Sequence, residues 1–66
     1  MQIQVNGAIE IVPEQSTLSE LLERLKLAGK RLAVELNGEI VPRSSYAQRS
    51  LHDNDVLEIV QAIGGG

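Results

Sequence analysis

The chain has no cysteine, tryptophan or phenylalanine, and only one tyrosine, one histidine and one methionine among 66 residues. Without cysteine, no disulfide can staple a small fold and no thiolate can hold zinc. A single histidine does not make a tetrahedral metal site, so no metal ligand set is expected. One aromatic, Tyr46, supplies no platform for stacking bases. Basic residues are scarce too: 6 Lys and Arg face 9 Asp and Glu, for a net charge of −3. That sign opposes a nucleic-acid partner held by phosphate neutralisation. No apolar run approaches the ~20 residues of a membrane span, and residues 1–15 lack a basic start followed by an apolar stretch. The expectation is one soluble, cytoplasmic domain, with no membrane partner and no cofactor bound. A domain of this size buries only about 60% of its unfolded surface. It is too small to enclose a substrate pocket of roughly 300–1,000 Å³ alone.

The hydrophobic share of 42% is nevertheless ample for a core. Met1, Ile3 and Val5 alternate with Gln2, Gln4 and Asn6, the period of a half-buried strand. Asn6-Gly7 suits a type I′ turn, because both residues tolerate positive φ. A second strand over residues 8–12 places Ile9 and Ile11 on one face and Glu10 on the other, and Pro13 ends it. Thr17 and Glu20 fit a capping box. Leu18, Leu21, Leu22 and Leu25 then form one apolar stripe at helical spacing. Lys26 suits the negative end of the helix dipole, and Gly29 is the expected left-handed residue that closes the helix. Residues 32–36 alternate as a third strand, Asn37-Gly38 turns the chain, and Ile40-Val41 is a short return strand stopped by Pro42. Residues 43–50 read as a helical turn around Tyr46, Asp53-Asn54-Asp55 as a polar turn, and residues 56–62 as the last strand. The leucine stripe has only one surface to cover, a single sheet of five strands. The fold class is therefore α+β, a two-layer sandwich.

Conventional catalytic arrangements are weak in this sequence. Ser44, Ser45 and Ser50 lie near His52 and Asp53, but adjacent His and Asp point apart, and no nucleophile elbow is present. A solvated turn outweighs a triad, and no catalytic residue is assigned. Asp53 and Asp55 offer too few oxygens for calcium, so turn chemistry outweighs a cation site. Lys26, Lys30 and Arg31 form a basic cluster at the helix exit. In so acidic a chain, an anion patch there is the minority reading.

The unusual feature is Gly64-Gly65-Gly66, directly after the last strand. At ~7% glycine, three in a row at a set place arise by chance in roughly one chain in three thousand. A frayed terminus is the bland reading. The functional one starts from sterics: without Cβ atoms, Gly64 and Gly65 can thread a channel that other residues would block. Four extended residues, 63–66, reach about 13 Å at ~3.3 Å each. The carboxylate at Gly66 is a poor electrophile when ionised, and attack on ATP would activate it as an acyl-adenylate. Sulfur or an amine can then displace AMP. With Leu57 and Ile59 facing the core, Val60 and Ala62 turn outward as an apolar edge beside the tail. With Ile63, they are the expected partner-recognition residues. The division is a domain over residues 1–62 and a flexible tail over residues 63–66.

These residues carry a resemblance. Thr17-Leu18 with Glu20-Leu21-Leu22, and Ala33-Val34 leading through Leu36-Asn37 to Glu39-Ile40-Val41-Pro42-Arg43, resemble the ThiS family of sulfur carriers. Asp55 and the stretch from Ile63 to Gly66 complete the likeness, which covers the whole chain. The Asn-x-x-Ile-Val-Pro-Arg stretch is its most discriminating piece. Gly64 departs slightly, standing where alanine is equally familiar. The resemblance implies a ubiquitin-like β-grasp fold with one mixed five-stranded sheet on one main helix. It also implies a sulfur carrier for thiamine thiazole synthesis, monomeric when free, and a protein cosubstrate rather than an enzyme. An E1-like adenylyltransferase (ThiF type) would use ATP to adenylate Gly66. A persulfide derived from cysteine by a desulfurase would convert it to a thiocarboxylate. Thiazole synthase (ThiG type) would take the sulfur. A molybdopterin-synthase small subunit, a ubiquitin-like protein modifier and a β-grasp binding module stand as alternatives.

Overall fold

A computed structural model describes residues 1–62. The expected tail, Ile63, Gly64, Gly65 and Gly66, lies outside the described residues. Strand β1 (Gln2–Val5) turns into β2 (Ala8–Ile11), followed by helix α1 (Leu18–Arg24), β3 (Leu32–Leu36), β4 (Glu39–Ile40), a 3₁₀ turn (Arg43–Ser45) and β5 (Val56–Gln61). The strands form one sheet in the order β2-β1-β5-β3-β4. β1 runs parallel to β5, and the other neighbours are antiparallel, so the sheet is mixed.

Both Asn-Gly pairs turn the chain as their chemistry predicts. Asn6 and Gly7 have φ of 50° and 84°, and Asn37 and Gly38 have 51° and 85°. Two successive positive φ angles match the right-handed twist of the flanking strands, and Asn and Gly adopt them at least cost. The helix start is equally local. The Glu20 amide donates to Thr17 Oγ1 at 3.2 Å while the Thr17 amide donates to Glu20 Oε1 at 2.8 Å. Two further amides of the first turn find carbonyls on the 43–50 segment, Leu18 to Arg49 at 2.9 Å and Ser19 to Tyr46 at 3.1 Å. That segment therefore docks on the helix start and leaves none of these donors orphaned.

The end of the helix corrects an expectation. The helix closes at Leu25, and the left-handed residue is Lys26, with φ of 62°, rather than Gly29. The Lys26 amide donates to the Glu23 carbonyl at 3.0 Å and the Leu27 amide to Leu22 at 2.7 Å, the paired bonds of a Schellman motif. Leu27 packs against the core, as the residue after the left-handed position commonly does. Packing the half-buried Leu27 against the core selects this ending, and Gly29 (φ 80°) serves the next turn. A lysine at positive φ carries strain that glycine would not. Lys26→Gly is therefore expected to raise stability by about 0.5–1 kcal/mol, the gain being trimmed by glycine's greater unfolded-state entropy. Urea denaturation of the two proteins measures it.

The core lies between α1 and the three middle strands. Leu18, Leu21 and Leu22 from the helix meet Ile3, Val5, Val34, Leu36, Leu57 and Ile59 from β1, β3 and β5, with Val12, Val41 and Leu51 closing the margins. β2 and β4 themselves contribute no buried residue. The reason is width. A helix with its side chains is about 10–12 Å across, whereas five strands at ~4.8 Å spacing span about 19 Å between outer axes. The edge strands therefore extend past its cover. Ile9 and Ile11 pair with Gln4 and Gln2, which alternate with buried Ile3 and Val5. They stand on the outer face of the sheet, 55% and 62% exposed, and Glu10 on the helix side is half-buried.

Candidate functional site

The strand that leads to the tail is also the middle of the sheet, and two turn asparagines bind it. The ladder between β1 and β5 pairs Gln4 with Val56 and Val5 with Leu57. Past it, the Asn6 side chain takes over: Nδ2 donates to the Ile59 carbonyl at 3.0 Å, and Oδ1 accepts from the Ile59 amide at 2.7 Å. On the other side, the Asn37 amide donates to the Val56 carbonyl at 2.8 Å, and Asn37 Oδ1 accepts from the Val56 amide at 2.9 Å. Each asparagine thus turns its hairpin and extends a ladder to β5. Asp55 completes the anchor. Its buried carboxylate accepts from the His52 amide at 2.7 Å and from Asn37 Nδ2 at 2.9 Å.

The far end of β5 is held by pairing of Leu32 with Gln61 and by an Ala62 amide donating to the Arg31 carbonyl at 2.8 Å. Residues 63–66 follow Ala62 in the sequence. Val60, 64% exposed, pairs with Ala33 on the outer face, and Ala62 is exposed beyond it. Both expected recognition residues thus face outward in one groove of about 440 Å³, lined also by Arg31, Leu32, Ala33 and Arg43. Ile63 lies outside the described residues, as do Gly64, Gly65 and Gly66. Arg43 at this groove was not among the expected site residues, and Arg31 was flagged only within the basic cluster of Lys26, Lys30 and Arg31, with an anion patch as the minority reading. The meeting of Arg31 with Arg43 depended on strand pairing.

The discounted arrangements stay apart. Asp53 Oδ1 accepts from the Gln2 amide at 2.7 Å, and Asp55 accepts from the His52 main-chain amide and from Asn37, so neither carboxylate is bonded to the His52 imidazole. Among the described residues there is no group of His, Asp and Glu placed to hold a metal ion, and every buried side-chain polar atom has a partner. No helix of the described residues is long and apolar enough to cross a membrane.

A family model, the ThiS family, matches residues 2–66. The chain belongs to the ThiS family. A crystal structure of the thiamine biosynthesis protein ThiS from Geobacter metallireducens superposes with a TM-score of 0.84, at 36% identity, over 100% of both chains. The ubiquitin-like β-grasp fold expected of a ThiS chain is therefore the fold observed. The sulfur carrier protein ThiS of Bacillus subtilis is 37% identical over 97% of this chain and 98% of its own length. A thiazole synthase of Paramagnetospirillum magneticum is 46% identical over 100% of this chain. This ThiS-family chain spans only 20% of the length of the thiazole synthases that it matches.

Proposed function

We propose that this chain is a sulfur carrier of thiamine biosynthesis, bearing its cargo on the carboxyl group of Gly66. The end-to-end likeness to a protein named sulfur carrier protein ThiS carries this reading. The division of labour in the fold supports it. One strand, β5, paired on both sides in the middle of the sheet, leads to a run of glycines. The chain acts as a protein cosubstrate and has no turnover of its own.

The Gly66 carboxylate attacks the α-phosphorus of ATP in an E1-like adenylating enzyme, releasing pyrophosphate and forming an acyl-adenylate. The terminal sulfur of a persulfide then attacks the acyl carbon and displaces AMP. A thiol cleaves the resulting acyl disulfide, leaving the thiocarboxylate on Gly66 and a disulfide on the donor side. The acceptor is thiazole synthase, a choice supported by the likeness to a segment of proteins bearing that name. Gly64 and Gly65 pass through the partners' channels. Val60, Ala62 and Ile63 are the apolar contacts at the channel mouth.

Mass spectrometry of the protein isolated from cells, or incubated with ATP, its adenylating enzyme and a persulfide source, tests this reading. Exchange of one oxygen for sulfur nearly matches the mass of one added oxygen, so the change must be localised. Met1 is the only methionine, and fragmentation separates its oxidation from a change at Gly66. An alkylatable mass increase at Gly66 is the expected result. An unchanged Gly66, or a Gly66 continuing into further chain, overturns the reading.

A further inference from the structure

Basic residues are few in this acidic chain, yet three of them gather around the root of the tail. Arg31 and Arg43 line the groove beside Val60 and Ala62, and Arg43 with Lys30 lines a second groove of about 340 Å³ adjoining it. Glu23 is the only acid on the lining of either. Asp53 and Asp55 sit at the opposite end of β5, just before its first residue. Acids therefore occupy the start and the middle of the central strand, where Glu58 pairs with Glu35, and arginines gather at its far end. Among the described residues, no Lys or Arg side chain lies within ion-pair distance of a carboxylate. Arg31 and Arg43 are exposed, 12 residues apart in sequence, and brought together only because Arg31 precedes the strand that pairs with β5.

We propose that Arg31 and Arg43 form a docking clamp for carboxylate side chains at the mouth of the partner channel that receives the tail. The proposal rests on the sulfur-carrier reading and adds the chemistry of the partner's rim. A nucleotide phosphate is the other anion in that chemistry, but distance disfavours it. A tail extended through a channel carries Gly66 about 13 Å beyond Ala62. A phosphate on that carboxyl group lies beyond guanidinium groups rooted beside Ala62. The groups that do meet them belong to the surface surrounding the tail's point of insertion. Guanidinium suits that role, since its planar fork takes a carboxylate through two parallel hydrogen bonds. The clamp also gives direction. An acidic rim repels most of a chain with net charge −3 and attracts only the end that carries the tail, so encounters are oriented before the glycines insert.

The test is a titration of the adenylating enzyme with the full-length chain by calorimetry, at two salt concentrations. Arg31→Glu/Arg43→Glu is expected to raise Kd by about ten-fold or more at low salt, and to lose most of the salt dependence of the unsubstituted chain. Arg31→Lys/Arg43→Lys, which keeps charge without the fork, is expected to weaken binding by about two- to five-fold. Arg24→Glu/Arg49→Glu makes the same change in net charge away from the grooves, and is expected to stay within about three-fold. Circular dichroism melts establish that each variant is folded. Equal losses for the clamp and control pairs, or a Kd within two-fold for the clamp reversal, overturn the proposal. The mass of Gly66 after the same incubations is read separately. A chain that binds through the arginines but gains no sulfur leaves the clamp standing and overturns the sulfur reading. Absence of binding by the unsubstituted chain overturns both.

Discussion

Removal of Gly65 and Gly66 is expected to abolish sulfur loading completely while leaving the thermal midpoint of the domain unchanged. The two halves of this expectation rest on different parts of the molecule. The buried hydrophobic residues run from Ile3 to Ile59, and the last ladder pair is Leu32 with Gln61. Deleting two residues beyond Ala62 removes none of these contacts. Loading, in contrast, requires a carboxyl group at a fixed distance from the docked domain. Two residues fewer withdraw it by roughly 7 Å, and misplacement of a reacting group by about 1 Å can already cost ~100-fold. Gly65→Val separates reach from chemistry, because it keeps the chain length and the carboxyl group but adds a branched side chain. It is expected to lower the loading rate by about 100-fold or more, with binding through the domain surface less affected. Mass spectrometry over a time course and a melting curve on the same samples check both halves. Loading of the shortened chain at any other residue would sink the assignment of Gly66.

Asp55→Ala carries the largest expected cost in stability. The carboxylate is buried, and it accepts from the His52 amide and Asn37 Nδ2 at the start of β5. Bonds to a charged acceptor contribute about 1.5–3 kcal/mol each, and both donors lose their acceptor when it is removed. A net loss of about 3 kcal/mol follows. For a domain of this size, total stability is roughly 3–10 kcal/mol at the usual per-residue values. The midpoint should accordingly fall by roughly 12–24 °C. Asn37→Ala removes the other partner of one shared bond, so the double variant should cost less than the sum of the singles by about 1 kcal/mol. Strict additivity in thermal or urea denaturation would show that the two side chains act independently. Because Asp55 and Asn37 fix the first residue of the tail-bearing strand, such variants should lose sulfur loading only to the extent that they unfold.

Asp55 and the two turn asparagines also mark the limit of reading by local pattern. The Asn-Gly dipeptides are legible as hairpin turns, and Asp55 as turn chemistry within a family-like stretch. Nothing near Asn6 in the chain indicates that its side chain serves Ile59, 53 residues away. The partner-facing residues divide in the same way. Val60 and Ala62 follow from alternation once Leu57 and Ile59 are assigned to the core. Arg43 enters the groove only because the chain after β4 runs back along β3, where the Val41 amide donates to the Val34 carbonyl, toward the strand's start at Leu32 and Ala33.

Local chemistry alone accounts for whatever neighbours within about four residues control. These features are the type I′ turns, the capping box, the leucine stripe, the alternating strands and the glycine run that no core needs. Each follows from steric preference or from bonds within a single turn of chain, so distant packing has little to alter. Long-range packing sets everything that depends on what covers what. Alternation in β2 separates Ile9 and Ile11 from Glu10, but only the pairing of β2 with β1, which sets them opposite Gln4 and Gln2, puts the isoleucines on the face that α1 does not cover. Gly29 is the residue of lowest local cost at the helix end, yet packing of the half-buried Leu27 places the left-handed turn at Lys26. The pairing of β3 with β5 brings Arg31 to Ala62, converting a scattered basic minority into a feature of the tail's root.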